Sequence, residues 1–223
     1  MAQLIPVKWQ NPPDDLSLST GQIDIWLFCL DRSPCETSWL DQGEKCRLSG
    51  ISNQASHQRY CASHTALRGT LSRYLELAPS EIKLTTTAGG KPLLQDASPA
   101  LHFNLSHSGN FALVAVCKGD IGVDVEPKRI IRDIPRVAKR VLSQHDLDAL
   151  EKNHWNTDTF LSLWTKMEAR QKCFGEGIFG QVIDSSLVST HEFLVSAEIF
   201  ATVAWRVTSQ VTNLNFYSHY QED

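Results

Sequence analysis

Two acids stand one residue apart in Ile121-Gly122-Val123-Asp124-Val125-Glu126-Pro127. Ile121, Val123 and Val125 are β-branched and alternate with the other positions, so the spacing predicts a short strand. Side chains two apart on a strand share a face, which sets Asp124 beside Glu126 and turns the valines the other way. Carboxylates that close repel each other. A hard divalent cation such as Mg²⁺ would remove the repulsion and take both as ligands; a solvated edge strand with its acids outward accounts for the same pattern. Further along, Glu168 and Lys172 are four residues apart, the spacing of neighbours on one helix face. They could bring a carboxylate and an ammonium to a reaction centre, or form a surface ion pair worth roughly a few tenths of a kcal/mol.

Two other stretches could meet a phosphate. Gly89-Gly90-Lys91-Pro92 can present backbone N–H groups and an ammonium, although it lacks the glycine spacing and the Ser/Thr of a Walker A loop; a hairpin turn is the other reading. Ser106-His107-Ser108-Gly109 offers hydroxyls, an imidazole and permissive backbone, or a plain polar hairpin. Arg59 and Arg68 lie on one predicted helix, nine residues apart, where arginines are usually solvated.

The elements that must carry these groups follow from periodicity. Ile23 to Leu30 is an apolar strand. Trp39 to Leu48 could be a helix with Glu44, Lys45 and Arg47 outward. Ser56 to Leu77 reads as a longer helix, with Tyr60 and then, after a gap, Leu67, Leu71, Leu75 and Ala78 recurring at threes and fours. Pro79-Ser80 stops it, and Glu81 to Thr87 follows as a strand. Leu101 to Val116 gives two strands around the Ser106–Gly109 turn. Helices are expected over Ile134–Val141, over Asp146–Lys152 behind a capping box at Ser143, and over Thr159–Phe174. The last has Phe160, Leu163, Trp164 and Met167 as its buried stripe and Gly175 and Gly177 as its stop. Phe193 to Val207 and Leu214 to Tyr217 close the chain as strands. The order strand, helix, strands runs to Val116 and begins again at Ile121.

A chain of 223 residues with 42% hydrophobic and 21% charged residues can bury an ordinary globular core. Its formal net charge of -4 argues against a dedicated nucleic-acid binder. No apolar run reaches the ~18–20 residues of a membrane helix, and Met1 to Lys8 is no signal peptide. The six cysteines, Cys29, Cys35, Cys46, Cys61, Cys117 and Cys173, form no C-x-x-C pair. They read as free thiols of a cytoplasmic protein. The eight histidines show no H-x-x-x-H, so zinc is not expected.

Taken in order, Gly90-Lys91-Pro92, Phe103 to Ser108, Gly122 to Glu126 and Trp164 to Lys172 resemble the 4′-phosphopantetheinyl transferases of the monomeric, surfactin-activating type. The resemblance covers about Arg59 to Gly177 and is weaker at both ends. It implies an α+β (α/β) fold, a pseudo-dimer of two similar halves, each a small mostly antiparallel sheet packed on a long helix. Residues 1–118 would form the N-terminal half and 119–223 the half carrying the metal-binding carboxylates, with the active site between them. It also implies a reaction: a serine of an apo acyl or peptidyl carrier protein attacks coenzyme A, the phosphopantetheine arm moves, and 3′,5′-ADP leaves.

By that resemblance Asp124, Glu126 and Glu168 hold Mg²⁺, Glu168 doubles as general base, and Lys172 sits at the phosphates. Arg59, Lys91 and His107 contact the 3′-phosphate and pyrophosphate, with Ser106 beside them and Arg68 near. The expected partners are coenzyme A and the carrier protein, with no nucleic acid and no membrane, and the expected state is a cytoplasmic monomer. One position departs from the family pattern W-[S/T]-x-K-E-[A/S]-x-x-K: Met167 replaces the lysine before the glutamate, and Lys166 is one place early. A residue along a helix turns a side chain by about 100°, so Lys166 does not reproduce it. That departure supports the alternative of a non-catalytic relative that binds coenzyme A or a carrier protein.

Overall fold

The structure is a computed structural model that describes residues 4–95, 101–175 and 183–219. Gly177, the second expected helix stop, lies outside them. Nine strands and five α-helices are described. Strands β1 (Gln22–Cys29), β4 (His102–Ser108), β5 (Phe111–Cys117) and β9 (Asn213–Ser218) make one sheet in the order β4-β5-β1-β9. Strands β6 (Ile121–Pro127), β7 (Val188–Ser196) and β8 (Ile199–Arg206) make a second in the order β6-β8-β7. Strands β2 (Leu84–Thr86) and β3 (Pro92–Leu94) form a separate hairpin closed by the Gly89-Gly90 turn. Every neighbouring pair is antiparallel except β1 with β9.

Alternation sorts each strand into two faces. Ile23, Ile25, Leu113 and Ala115 of the first sheet pack against Val123, Val125, Phe193 and Val203 of the second. The opposite face of the first sheet, with Trp26, Val114 and Val116, takes Leu67 and Leu71 of α2 (Gln54–Leu75). The opposite face of the second takes α5 (Thr157–Phe174). The layers therefore run helix, sheet, sheet, helix, the expected two halves placed back to back. The last strand crosses over: β9 pairs with β1 from Gln22↔Asn213 to Leu27↔Ser218, so chain from beyond residue 119 completes the first sheet.

Local signals place the helix starts. Asp41, Asn53, Ser143 and Asn156 cap α1 (Gln42–Ser49), α2, α4 (Gln144–Lys152) and α5 with side-chain oxygens on backbone N–H groups. α3 (Ile134–Val141) starts at Asp133. The expected strand over 81–87 is reduced to β2 because Pro79–Glu81 forms a 3-10 turn first. The strand region expected from Phe193 to Val207 is a hairpin, β7 and β8, and it starts earlier, at Val188. The reading of all six cysteines as free thiols is corrected: Cys35 and Cys61 form a disulfide, their Cα atoms 5.2 Å apart, because α2 brings Cys61 under the loop that carries Cys35. Among the described residues no helix is long and apolar enough to cross a membrane.

Gly122 sets how closely α5 lies on β6. A Cβ there would stand 2.0 Å from the Ala169 carbonyl oxygen and 2.4 Å from the Cys173 nitrogen, both backbone atoms of α5. Neither can rotate aside, so Gly122→Ala must push the helix off the sheet. Overpacking of this kind costs about 1–3 kcal/mol. A lower urea midpoint with unchanged slope is the expected measurement, together with loss of whatever activity depends on the β6–α5 spacing.

Candidate active site

β6 turns Ile121, Val123 and Val125 into the core between the sheets, which aims Gly122, Asp124 and Glu126 at α5. On α5 the residues facing β6 and β8 are Thr165, Glu168, Ala169 and Lys172, at helical spacings of three and four. β4 is the edge of its own sheet and runs beside β6: Asn104 Oδ1 accepts the Val123 N–H at 2.8 Å. Ser106 and Ser108, two apart on β4, therefore face Asp124 and Glu126. Three elements from the two halves meet at one spot.

There the acids are not where a solvated edge strand would leave them. Asp124 is 2% exposed and Glu168 8%. Asp124 Oδ1 accepts from Ser106 Oγ at 2.8 Å and from Lys172 Nζ at 2.6 Å. Its other oxygen, Oδ2, is buried without a hydrogen-bond partner among the described residues. Glu168 Oε2 lies 3.4 Å from Lys172 Nζ. Glu126 Oε2 accepts from Ser108 Oγ at 2.6 Å and pairs with Arg129. Burial raises the Asp124 carboxyl despite Lys172 and Ser106. Burial, then the Asp124 charge, pushes Glu168 up to about 7 although Lys172 pulls the other way. Burial by itself would lower the Lys172 ammonium, but Asp124 and Glu168 outweigh it and hold it above its usual range.

Among the described residues no three His, Cys, Asp or Glu side chains already converge as a preformed metal cage. Mg²⁺ does not need one, since it takes one or two carboxylates together with substrate phosphate and water. An orphaned Asp124 oxygen, and a Glu168 carboxyl raised by burial and by the charges of Asp124 and Glu126, are what a cation would relieve. The residues present fit the group.

The expected phosphate contacts divide. Arg59, near the start of α2, donates Nε to Asn110 Oδ1 at 3.1 Å, which fixes its guanidinium to the β4–β5 turn. His107 stands on that hairpin; desolvation, then the charges of His64, Lys172 and Arg59, lower its pKa. So Arg59 and Lys172 bring positive charge towards His107, and His64 lies near them. His64 was not expected; it lies five residues beyond Arg59, stacks on Tyr60 and bonds Glu44 at 2.7 Å. Ser108 was legible only as Ser106's partner two residues along the strand.

Lys91 is elsewhere. Its Nζ donates to the carbonyls of Ile121 at 2.8 Å and Cys173 at 3.2 Å, tying the β2–β3 hairpin to the second half, and burial lowers its pKa. Arg68 is not at the cleft. It is 0% exposed and donates to Glu44, Asp41 and the carbonyls of Pro79 and Ile82. Nine residues turn a helix two and a half times, so Arg59 and Arg68 point to opposite sides of α2. Glu44, expected outward, is buried as the partner of Arg68 and His64.

Met167 does not face Asp124. It packs with the α3–α4 cluster and lines a cavity of about 500 Å³ with Val141, Ser143, Lys166 and Arg170. Lys166 pairs with Glu192 of β7 at 2.5 Å. Met167→Lys should place its ammonium in the open part of that cavity by extending its stem. Because Met167 packs on the α3–α4 cluster, the variant is expected to lose about 1 kcal/mol of stability with turnover near that of the parent; a gain in turnover would show that position 167 reaches the phosphates.

The two halves also match known proteins separately. Residues 26–119 match the family described as 4′-phosphopantetheinyl transferase, N-terminal, and residues 120–219 match the 4′-phosphopantetheinyl transferase superfamily. The chain is 30% identical to the 4′-phosphopantetheinyl transferase HetI of Nostoc sp., over 93% of this chain and 90% of the relative. It is 32% identical to a Synechocystis sp. protein named for the same activity, over 85% of this chain and 80% of the relative. With Sfp of Bacillus subtilis (strain 168) it shares 33% identity over 68% of this chain and 66% of the relative. A site assembled from β4, β6 and α5 across two matched halves, with relatives of this extent, makes the chain a member of the 4′-phosphopantetheinyl transferase superfamily.

Proposed function

We propose that the chain transfers the 4′-phosphopantetheine arm of coenzyme A to a serine of an apo acyl or peptidyl carrier protein and releases 3′,5′-ADP. The observation that carries this reading is the buried, unpartnered Oδ2 of Asp124 beside Glu168, a carboxyl raised to about 7. Asp124, Glu126 and Glu168 would hold Mg²⁺, which when bound supplies positive charge to the pyrophosphate oxygens. Arg59, His107 and Lys172 bind and orient the phosphates, and Ser106 steadies the Asp124 carboxylate. Glu168 accepts the serine proton as the serine oxygen bonds to the β-phosphorus. The bond from that phosphorus to the bridging oxygen of 3′,5′-ADP breaks. Burial raises the Glu168 carboxyl and so favours it as the proton acceptor, while ligation to the cation would oppose that rise.

Residues 1–118 contribute the phosphate side through α2 and β4, and residues 119–223 the carboxylates through β6 and α5. One chain supplies both sides, which supports a monomer, and the reading takes it as cytoplasmic. The test is incubation with Mg²⁺ and coenzyme A labelled in the pantetheine arm, across a panel of apo carriers. Label retained on a carrier serine is expected; release of 3′,5′-ADP with no labelled carrier in the panel would replace transfer by hydrolysis.

Arg59 carries a separate expectation. Losing a charged hydrogen bond costs about 1.5–3 kcal/mol, roughly ten- to a hundredfold in affinity. Arg59→Ala should weaken coenzyme A by that range and dephospho-coenzyme A far less. Equal losses for the two ligands would show that Arg59 does not read the 3′-phosphate.

A further inference from the structure

We propose that Lys172 is a built-in rival of the divalent cation, holding the Asp124 carboxylate until a coenzyme A phosphate draws its ammonium away, so that cation and coenzyme A bind cooperatively. This rests on the reading of the Asp124 site as a cation centre. Lys172 Nζ lies 2.6 Å from Asp124 Oδ1, 2.9 Å from Ser106 Oγ and 3.4 Å from Glu168 Oε2. One ammonium thus touches two of the three carboxylates that would ligate the ion, and the hydroxyl between the halves. A cation on Asp124 and an ammonium at that distance are two positive charges competing for one counter-charge.

A phosphate resolves the competition, because it brings negative charge for both. Lys172 can follow it: its ammonium rides on a flexible four-carbon stem. His107 feels the charges of Lys172 and Arg59 together, so the ammonium already lies close to the groups that would hold that phosphate. Lys172 is then a positioning group whose partner changes with occupancy. Binding free energies are reciprocal: if coenzyme A tightens the cation by some factor, the cation tightens coenzyme A by the same factor.

The experiment titrates Mn²⁺ at pH 8 into the parent protein, Lys172→Met and Asp124→Asn, with and without coenzyme A, reading free Mn²⁺ by electron paramagnetic resonance. Chelation by coenzyme A itself is measured without protein and subtracted. Without coenzyme A, Lys172→Met should bind Mn²⁺ about tenfold tighter than the parent, within the usual range of coupling between sites. Coenzyme A should tighten Mn²⁺ strongly in the parent and much less in Lys172→Met. Lys172→Gln, which keeps a polar tip for Ser106, replaces Lys172→Met where the latter does not fold. Equal or weaker Mn²⁺ binding in the lysine variants, with Asp124→Asn weakened, overturns the rivalry and leaves the cation centre standing. Unchanged Mn²⁺ binding in Asp124→Asn removes the cation centre itself, and the rivalry with it.

Discussion

Asp124→Asn is expected to lower carrier-protein labelling by about a thousandfold, some 4 kcal/mol of transition-state stabilisation, the scale of charge neutralisation at a transferring phosphoryl group. The variant should still fold. Its amide Oδ1 can keep accepting from Ser106 Oγ and Lys172 Nζ, as the carboxylate does. The position of Oδ2 has no partner to lose among the described residues. The change also removes a buried charge that repels Glu168. A carboxyl titration of Glu168 should therefore move below its midpoint of about 7 in Asp124→Asn. Near-parental turnover in a folded Asp124→Asn protein would end the assignment of this carboxylate. The sequence pattern alone suggests that Asp124→Ala abolishes transfer and leaves the fold intact, because a strand-surface acid contributes little to the core. Burial changes that expectation: Asp124→Ala would strand Lys172 with one hydroxyl and a more distant carboxylate, so the asparagine is the cleaner test.

Glu168→Gln should lower turnover by roughly a hundredfold or more, within the span of a positioned proton transfer, while coenzyme A affinity falls much less because Asp124 and Glu126 remain. An i,i+4 surface pair with Lys172 would instead change stability by under about 1 kcal/mol and leave turnover alone. Stability against pH separates the readings further. Burial and the Asp124 charge push Glu168 up to about 7, above the 4.5 of an unperturbed glutamate, so the folded protein holds this proton more tightly than the unfolded chain. Its contribution to stability is fully present below pH 4.5 and is lost as pH rises to about 7. Glu168→Gln lacks that proton and should show a flatter stability profile across this window. Identical profiles would mean that Glu168 titrates normally, and wild-type turnover in the variant would end its role as base.

Much of the site was legible in the linear pattern because two short-range periodicities govern it. The period of two on β6 puts Asp124 and Glu126 on one face, and the spacing of four on α5 puts Glu168 beside Lys172. Capping residues at Ser143 and Asn156 mark helix starts through bonds that span two or three residues. The ordered motifs carried the family. What depends on contacts between distant segments was not legible. Arg59 and Arg68 differ only in which side of α2 meets the rest of the chain, and Glu44 and Asp41 twenty-odd residues upstream take the second of them into the interior. Lys91 meets two carbonyls of the other half rather than a phosphate-binding cluster. Cys61 is paired because a loop 26 residues earlier folds over α2. β9 joins the first sheet although it follows every strand of the second sheet and α5 in the chain. The type of Asp124 and its face are set by its neighbours in sequence. Its burial, its ammonium partner and its orphaned oxygen exist only where β4, β6 and α5 meet, because charge energetics depend on desolvation by groups that sequence spacing does not bring together.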